Sequence, residues 1–328
     1  MYARAGVAKL GKGAGLRILF LVILGFESPP LHHMRHLAHV IHVSAAGIVR
    51  GFIGRSYLYI GTPLHASMTD TALITGASGG IGLEMTRILA KEGYDIIAVA
   101  RRADMLEKLK GELESLYGRN VTVICSDLSE DGDVRKVFEI ADKEGIEVDI
   151  LVNNAGFGDY GPFAECDWDK QDRMIRLNVL ALSHLTRLFL PGMISRGKGR
   201  ILNTASVASF EPGPLMSVYY ATKAYVLSFS EALTAELKGT GVTVTALCPG
   251  PTNTGFAKTA NADGANVFKE STSSDARAVA MYGYRCMMKG KAVAVHGITF
   301  KAMVLLVRIF PRSLVRRIVL SVQRRSAP

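Results

Sequence analysis

The sequence predicts an α/β fold built on one doubly wound parallel sheet, a single domain with an extension at each end. Three observations predict it. Short apolar runs alternate with amphipathic helical stretches from residue 68 to residue 297, and strands of that kind separated by helices build a parallel sheet covered on both faces. Glycines cluster at the first strand-to-helix junction, at Gly76, Gly80 and Gly82. A chain of 328 residues, 48% hydrophobic and 21% charged, can bury one large core.

The elements follow in order. "TALITGAS" (71–78) is an apolar strand running into a glycine turn, and 81–93 is an amphipathic helix that ends on glycine. "YDIIAVA" (94–100) is the next strand, followed by a helix over 103–117 and a strand over 120–128. A helix near 131–143 precedes "VDILVNNAG" (148–156), and the long stretch 167–195 reads as helix. Strand 199–206, helix 217–238 and strand 242–250 complete the alternation. Residues 251–275 are rich in Thr, Asn, Ser, Gly and Ala, the composition of a mobile substrate loop. Helix 274–289 and a short strand over 291–297 follow.

The net charge of +10 is concentrated at the ends. Residues 1–67 hold seven Lys/Arg against Glu27, and residues 285–328 hold ten Lys/Arg and no acid. The segment between them has 22 basic and 28 acidic residues, a net of −6. An acidic body argues against a nucleic-acid-binding domain, whose basic stripe lies on the fold itself. Basic ends suit peripheral contact with an anionic membrane surface. Cys125, Cys166, Cys248 and Cys286 are widely spaced. That pattern suits a reducing compartment, here the cytoplasm, and neither a disulfide framework nor a metal site.

The extension 1–67 is unlike the body. Ile18–Phe26 is an apolar run behind basic residues, and five of the eight histidines fall within 32–42. A membrane anchor, a transit peptide and a leader translated from upstream of a start at Met68 are the competing readings, and the upstream start is preferred. The tail 298–328 forms two apolar helical pieces around Pro311 with arginines on their flanks. Its longest apolar run, Ala302–Val307, is too short to span a bilayer. An interfacial amphipathic helix and a core helix with a solvated basic face fit it equally.

The chemistry begins at "TGASGGIG" (75–82). Glycines between a strand and a helix let the backbone approach a pyrophosphate, which then sits at the positive end of the helix. This makes the fold Rossmann-like. The second strand ends in Ala100, Arg101 and Arg102. NAD-binding folds place an acid there for the ribose 2′-OH, whereas guanidinium pairs with a 2′-phosphate, so NADP(H) is the expected cofactor. In "YYATKAY" (219–225), Tyr219 and Lys223 lie one turn apart on a helix. A cation beside a phenol lowers its pKa and makes it a usable acid and base. Taken alone, the same pair also reads as a surface contact.

With these motifs in order, the chain resembles the short-chain dehydrogenase/reductase family over 68–297. The motifs are the glycine turn, Asp127 after the third strand, "NNAG" (153–156), Asn178, Ser206, Tyr219-x-x-x-Lys223 and Pro249–Gly250. "VARRADMLEKL", "NAGFGDYGPF" and the basic tail resemble the bacterial DltE-type branch, linked to lipid-like carbonyl substrates. The resemblance implies that Tyr219 is the general acid/base, that Lys223 assists it and binds the nicotinamide ribose, that Ser206 binds the substrate oxygen, and that Asn178 holds a relay water. It assigns Gly76, Ser78, Gly80, Ile81 and Gly82 to the pyrophosphate. Asp127, Leu128, Asn154, Ala155 and Gly156 fall on the adenine side. Pro249, Gly250, Thr252 and Thr254 fall near the nicotinamide, while Asn153 ties strands together.

The function implied is NADP(H)-dependent interconversion of a carbonyl and a secondary alcohol on a lipophilic substrate, in a homo-oligomer paired through helices 167–195 and 217–238. The rivals are an NADP-sensing module without catalysis, which would be expected to lose Tyr219 or Ser206, and a membrane scaffold resting on the tails.

Overall fold

The structure, a computed structural model, describes residues 69–262 and 273–324. Its centre is a seven-stranded parallel sheet. The strands are β1 (Thr71–Thr75), β2 (Asp95–Ala100), β3 (Val121–Cys125), β4 (Val148–Asn153), β5 (Gly199–Thr204), β6 (Val242–Cys248) and, after two short strands described below, β9 (Val293–Val295). Their order is β3-β2-β1-β4-β5-β6-β9. The winding reverses between β1 and β4, and a crevice opens beyond the strand ends at such a reversal.

Burial on both faces explains the apolar strands. All five residues of β1 are buried. Ala72 and Ile74 join the cluster beneath α1 (Gly80–Lys91) and α2 (Ala103–Tyr117), while Leu73 points to the opposite cluster. That second face is covered through Val134 and Val137 of α3 (Asp133–Lys143) and through the long helix described next.

The helix expected over 167–195 runs from Trp168 to Arg196, in α4 (Trp168–Ile175), a π-helical turn (Arg176–Ala181) and α5 (Leu182–Arg196). It is long and apolar enough to cross a membrane by composition, but Leu182, Leu185, Phe189 and Met193 are buried in the fold. The π turn was not legible in the sequence. It carries Asn178, whose amide donates to the Phe157 carbonyl at 2.9 Å and whose oxygen accepts from the Phe157 N–H at 3.2 Å. Widened turns of this kind occur often at functional sites.

Helix α6 (Ser217–Glu236) follows a 3₁₀ turn at Val207–Phe210. The segment 251–275, expected as a loop throughout, contains regular elements among its described residues. β7 (Thr252–Asn253) pairs in parallel with β8 (Ser274–Asp275), and α7 (Phe256–Thr259) forms one helical turn between them. A hydrogen bond from the Ser274 N–H to the Pro251 carbonyl, 2.8 Å, holds the two ends together. Composition describes chain preference and carries no record of that long-range pairing. Helix α8 (Ala276–Met288) then leads to β9.

The C-terminal pieces are helices α9 (Ile298–Ile309) and α10 (Arg312–Gln323), broken at Pro311. Val304 of α9 and Val315, Val319 and Gln323 of α10 are buried against the fold, while their arginines stay exposed. The extension 1–67, with its histidine cluster and the Ile18–Phe26 run, lies outside the described residues.

Candidate active site

A cleft of about 490 Å³ opens at the strand ends where the winding reverses. Its floor is the turn after β1. Gly76 and Gly80 have φ of +69° and +55°, a region that favours glycine. A Cβ on Gly82 would run into the Gly76 carbonyl oxygen and the Asn154 amide. The bare glycine therefore allows α1 to begin directly against the turn. Gly79, at the N-cap of α1, provides no side-chain cap, so the first N–H groups of the helix are left for a ligand.

The turn is buttressed from β4. Thr75 Oγ1 accepts from the backbone N–H groups of Asn154 (2.9 Å) and Ala155 (3.0 Å), and the Asn154 amide donates to the Thr75 carbonyl at 3.1 Å. Asn153 ties neighbouring strands, donating to Asn203 Oδ1 at 2.9 Å.

The two arginines divide their work. Arg102 donates to the Ser78 carbonyl at 2.7 Å and to its hydroxyl at 3.2 Å, clamping the glycine turn from above. Arg101 is 64% exposed and reaches Asp127 only at 3.4 Å. Burial works to raise the Asp127 pKa. Hydrogen bonds from Ser129 and the Arg101 charge outweigh it and hold the carboxyl below its usual range. Leu128 is buried beside it. An uncapped helix, a glycine-rich turn and a loosely held guanidinium together fit a dinucleotide carrying a 2′-phosphate.

At the other end α6 brings in Tyr219 and Lys223, both under 10% exposed. The Ser206 hydroxyl accepts from the Ala208 N–H at 3.1 Å, reaches the Pro249 carbonyl at 3.5 Å, and stands beside the Tyr219 phenol. Lys223 Nζ donates to the Thr204 carbonyl at 2.7 Å and sits 5.9 Å from the centre of the Tyr219 ring.

The electrostatics correct the sequence expectation. Burial pushes the Tyr219 phenol up to about 12, against the opposing hydrogen bond to Ser206. The same burial pushes Lys223 down to about 8. Desolvation therefore outweighs what the neighbouring cation does for the phenol. Tyr219 is thus a proton holder at neutral pH.

Of the residues assigned to catalysis or cofactor binding from the sequence, the structure brings all to the cleft lining except Gly82 and Asn178. These two sit one layer behind. Asn178 Oδ1 lies 2.8 Å from the place a Gly156 Cβ would take, and its amide also donates to Thr222 Oγ1 at 3.1 Å. Thr254 packs on Gly80, and the Thr252 hydroxyl turns back to the Gly250 carbonyl at 2.9 Å. Pro249 accepts from the Val207 N–H at 2.9 Å.

Sequence reasoning missed the wall at the tyrosine end: Phe157, Met216, Tyr220 and Phe256. The doubled tyrosine of "YYATKAY" was the available signal. It also missed the tail's seat on this wall. Val315 and Val319 of α10 join the cluster of Met216, Tyr219 and Tyr220. Gln323 donates to the Tyr220 hydroxyl at 2.6 Å, and Tyr160 donates to the Gln323 carbonyl at 2.7 Å. A Cβ on Gly250 would strike the Phe300 ring, so α9 rests directly on the Pro249–Gly250 segment.

Glu211 stands beyond Tyr220, half-buried, and desolvation lifts its carboxyl to about 7. Folded, it keeps its proton up to that pH. Unfolded, it releases the proton at the ordinary carboxylate value, so folding is penalised increasingly as pH rises through 7. Glu211→Gln is therefore expected to raise the melting temperature at pH 8 and to raise it less at pH 5. An equal shift at both values would show that the carboxyl's charge is not the cause.

The comparisons with known proteins agree with this geometry. The family model described as short chain dehydrogenase matches residues 70–265. Over 182 residues the chain is 40% identical to a very-long-chain 3-oxoacyl-CoA reductase of Anas platyrhynchos, a match covering 54% of this chain and 58% of that protein. A ketoacyl reductase, HetN, of Nostoc is 36% identical over 180 residues, 55% of this chain and 62% of the other. The matches thus span little more than half the length of these curated relatives. Among solved structures, a short-chain dehydrogenase from Sphingobium yanoikuyae in complex with NADPH superposes with a TM-score of 0.66 at 30% identity. It covers 79% of this chain and 98% of that one.

Proposed function

Because the chain belongs to the short chain dehydrogenase family, we propose that it is an NADP(H)-dependent reductase of a lipophilic, fatty-acyl-like carbonyl. The observation that carries this reading is one cleft with a glycine-rich turn and Arg101 at one end, and Tyr219, Ser206 and Lys223 at the other. The apolar wall of Phe157, Met216, Tyr220 and Phe256 supports an acyl substrate. So do relatives named for 3-oxoacyl-CoA and ketoacyl reduction.

When bound, the reduced nicotinamide supplies the hydride. The chain's own residues supply the proton. Ser206 orients the substrate oxygen toward Tyr219, whose phenol stays protonated at neutral pH and gives its proton to the oxygen as negative charge develops there. Lys223, near its titration point, then restores that proton, and Asn178 and Thr222 behind it hold the relay's backbone in place. We assign the reaction to the cytoplasm, which suits four cysteines that form no disulfide. Exposed Leu180 and Tyr225 on the two long helices suit pairing with a second copy.

The test is NADPH consumption by the purified full chain with long-chain 3-oxoacyl-CoA, short-chain 3-oxoacyl thioesters and non-lipid ketones. Turnover fastest on the long acyl chain is expected. No consumption with any of them sinks the reading, and equal rates remove the lipophilic preference.

Cofactor choice is expected to rest on Arg101, because the guanidinium of Arg102 is already committed to Ser78. Arg101→Asp should weaken NADPH by roughly 10–100-fold, the worth of a charge-assisted hydrogen bond. The same carboxylate can accept from the 2′-OH of NADH and improve its binding. Titration by nucleotide fluorescence reads both, and an unchanged NADPH/NADH ratio would refute the assignment.

A further inference from the structure

The two C-terminal helices have a second face that the fold does not use. Inward, α10 presents Val315, Val319 and Gln323, a stripe at four-residue spacing that is buried against the tyrosine wall. Beside it runs a parallel stripe of Leu314, Ile318 and Val322, exposed by 40%, 49% and 46%. Helix α9 extends this surface with Leu305 and Ile309, exposed by 61% and 76%. An isolated exposed leucine is unremarkable, but seven large apolar side chains exposed on two successive helices (these five with Leu306 and Phe310) are a concentration of the kind that marks an interaction site.

The charge around this face names the partner. Arg308, Arg312, Arg316 and Arg317 are exposed and make no ion pair among the described residues, and residues 285–328 contain no acid at all. Apolar stripes flanked by uncompensated cations match the boundary between acyl chains and anionic headgroups. A water-soluble protein partner or a second copy of this chain would have to meet those arginines with carboxylates, and a second copy of this face has none to offer.

We propose that the outer face of α9 and α10 docks on an anionic bilayer surface. Because the inner face of the same helices walls the tyrosine end of the cleft through Tyr220 and Gly250, docking sets that end against the lipid. A lipophilic carbonyl then has a short path from bilayer to Tyr219. Docking itself stands on the surface alone and does not depend on which carbonyl is reduced.

The test is co-sedimentation of the full chain with phosphatidylcholine vesicles prepared with and without phosphatidylglycerol. The parent should sediment with the anionic vesicles only and should be released by salt. Leu305→Glu, Ile309→Glu and Ile318→Glu combined should abolish binding. Replacing Arg308, Arg312, Arg316 and Arg317 singly by Gln should weaken it about fivefold each. Both sets lie on the solvent side, so NADPH affinity and melting temperature should stay at the parental values, which separates lost docking from lost folding. Sedimentation that the substitutions leave intact would overturn the proposal in favour of the 18–26 run. Absence of binding by the parent would overturn it outright, as would a dimer that the Glu substitutions dissociate.

Discussion

A Tyr219→Phe chain is expected to bind NADPH as the parent does and to turn over ~10²–10⁴-fold more slowly, the usual worth of a positioned general acid. The substitution removes one hydroxyl and keeps the ring, so the packing against Phe256 (5.2 Å between ring centres) and Tyr220 survives. What is lost is the proton that burial keeps on the phenol at neutral pH. Single-turnover rates and fluorescence titration separate the two quantities. A Phe variant that keeps more than about a tenth of the parental rate would remove Tyr219 from the proton path. One that fails to bind NADPH would mean that the hydroxyl shapes the cleft instead.

Gly82→Ala carries the second large effect. Its added methyl would collide with the backbone carbonyl of Gly76, which cannot swing aside, and with the Asn154 amide, which is tied to the Thr75 carbonyl. Helix α1 must draw back from the turn, and its uncapped N–H groups leave the position where a pyrophosphate would sit. Overpacking of this kind costs ~1–3 kcal/mol. We therefore expect a lower melting temperature and NADPH binding weaker by about tenfold or more. Gly111→Ala is the matched control. Nothing lies within 4 Å of its added Cβ in the middle of α2. There the same change should stabilise by about 0.5–1 kcal/mol through helix propensity. If the two variants behave alike, close approach of backbone at Gly82 is not what the glycine is for.

The sequence by itself determined the alternation of strands and helices, the glycine turn, the arginines after β2 and the Tyr219–Lys223 pair. Each of these is a local pattern. Strand period, turn chemistry and i,i+4 spacing are dictated by neighbours along the chain, so they can be read before any fold exists. Only the tertiary structure decided the rest, because the rest depends on groups far apart in sequence. Arg101 and Arg102 are adjacent and chemically identical, yet one clamps Ser78 and the other stays exposed. Tyr219 and Lys223 can be paired from their spacing, but the burial that raises one and lowers the other is a property of everything that surrounds the pair. Asn178 could be named as a site residue, but the π turn that carries it and its bonds to Phe157, 21 positions away, could not. The tail is the furthest case. Gln323 meets Tyr220 across 103 residues of sequence, and that contact turns one side of an amphipathic helix into a wall of the cleft while leaving the other side in solvent. A helical pattern shows that two faces exist. Which face the fold buries is decided by the surface it lands on.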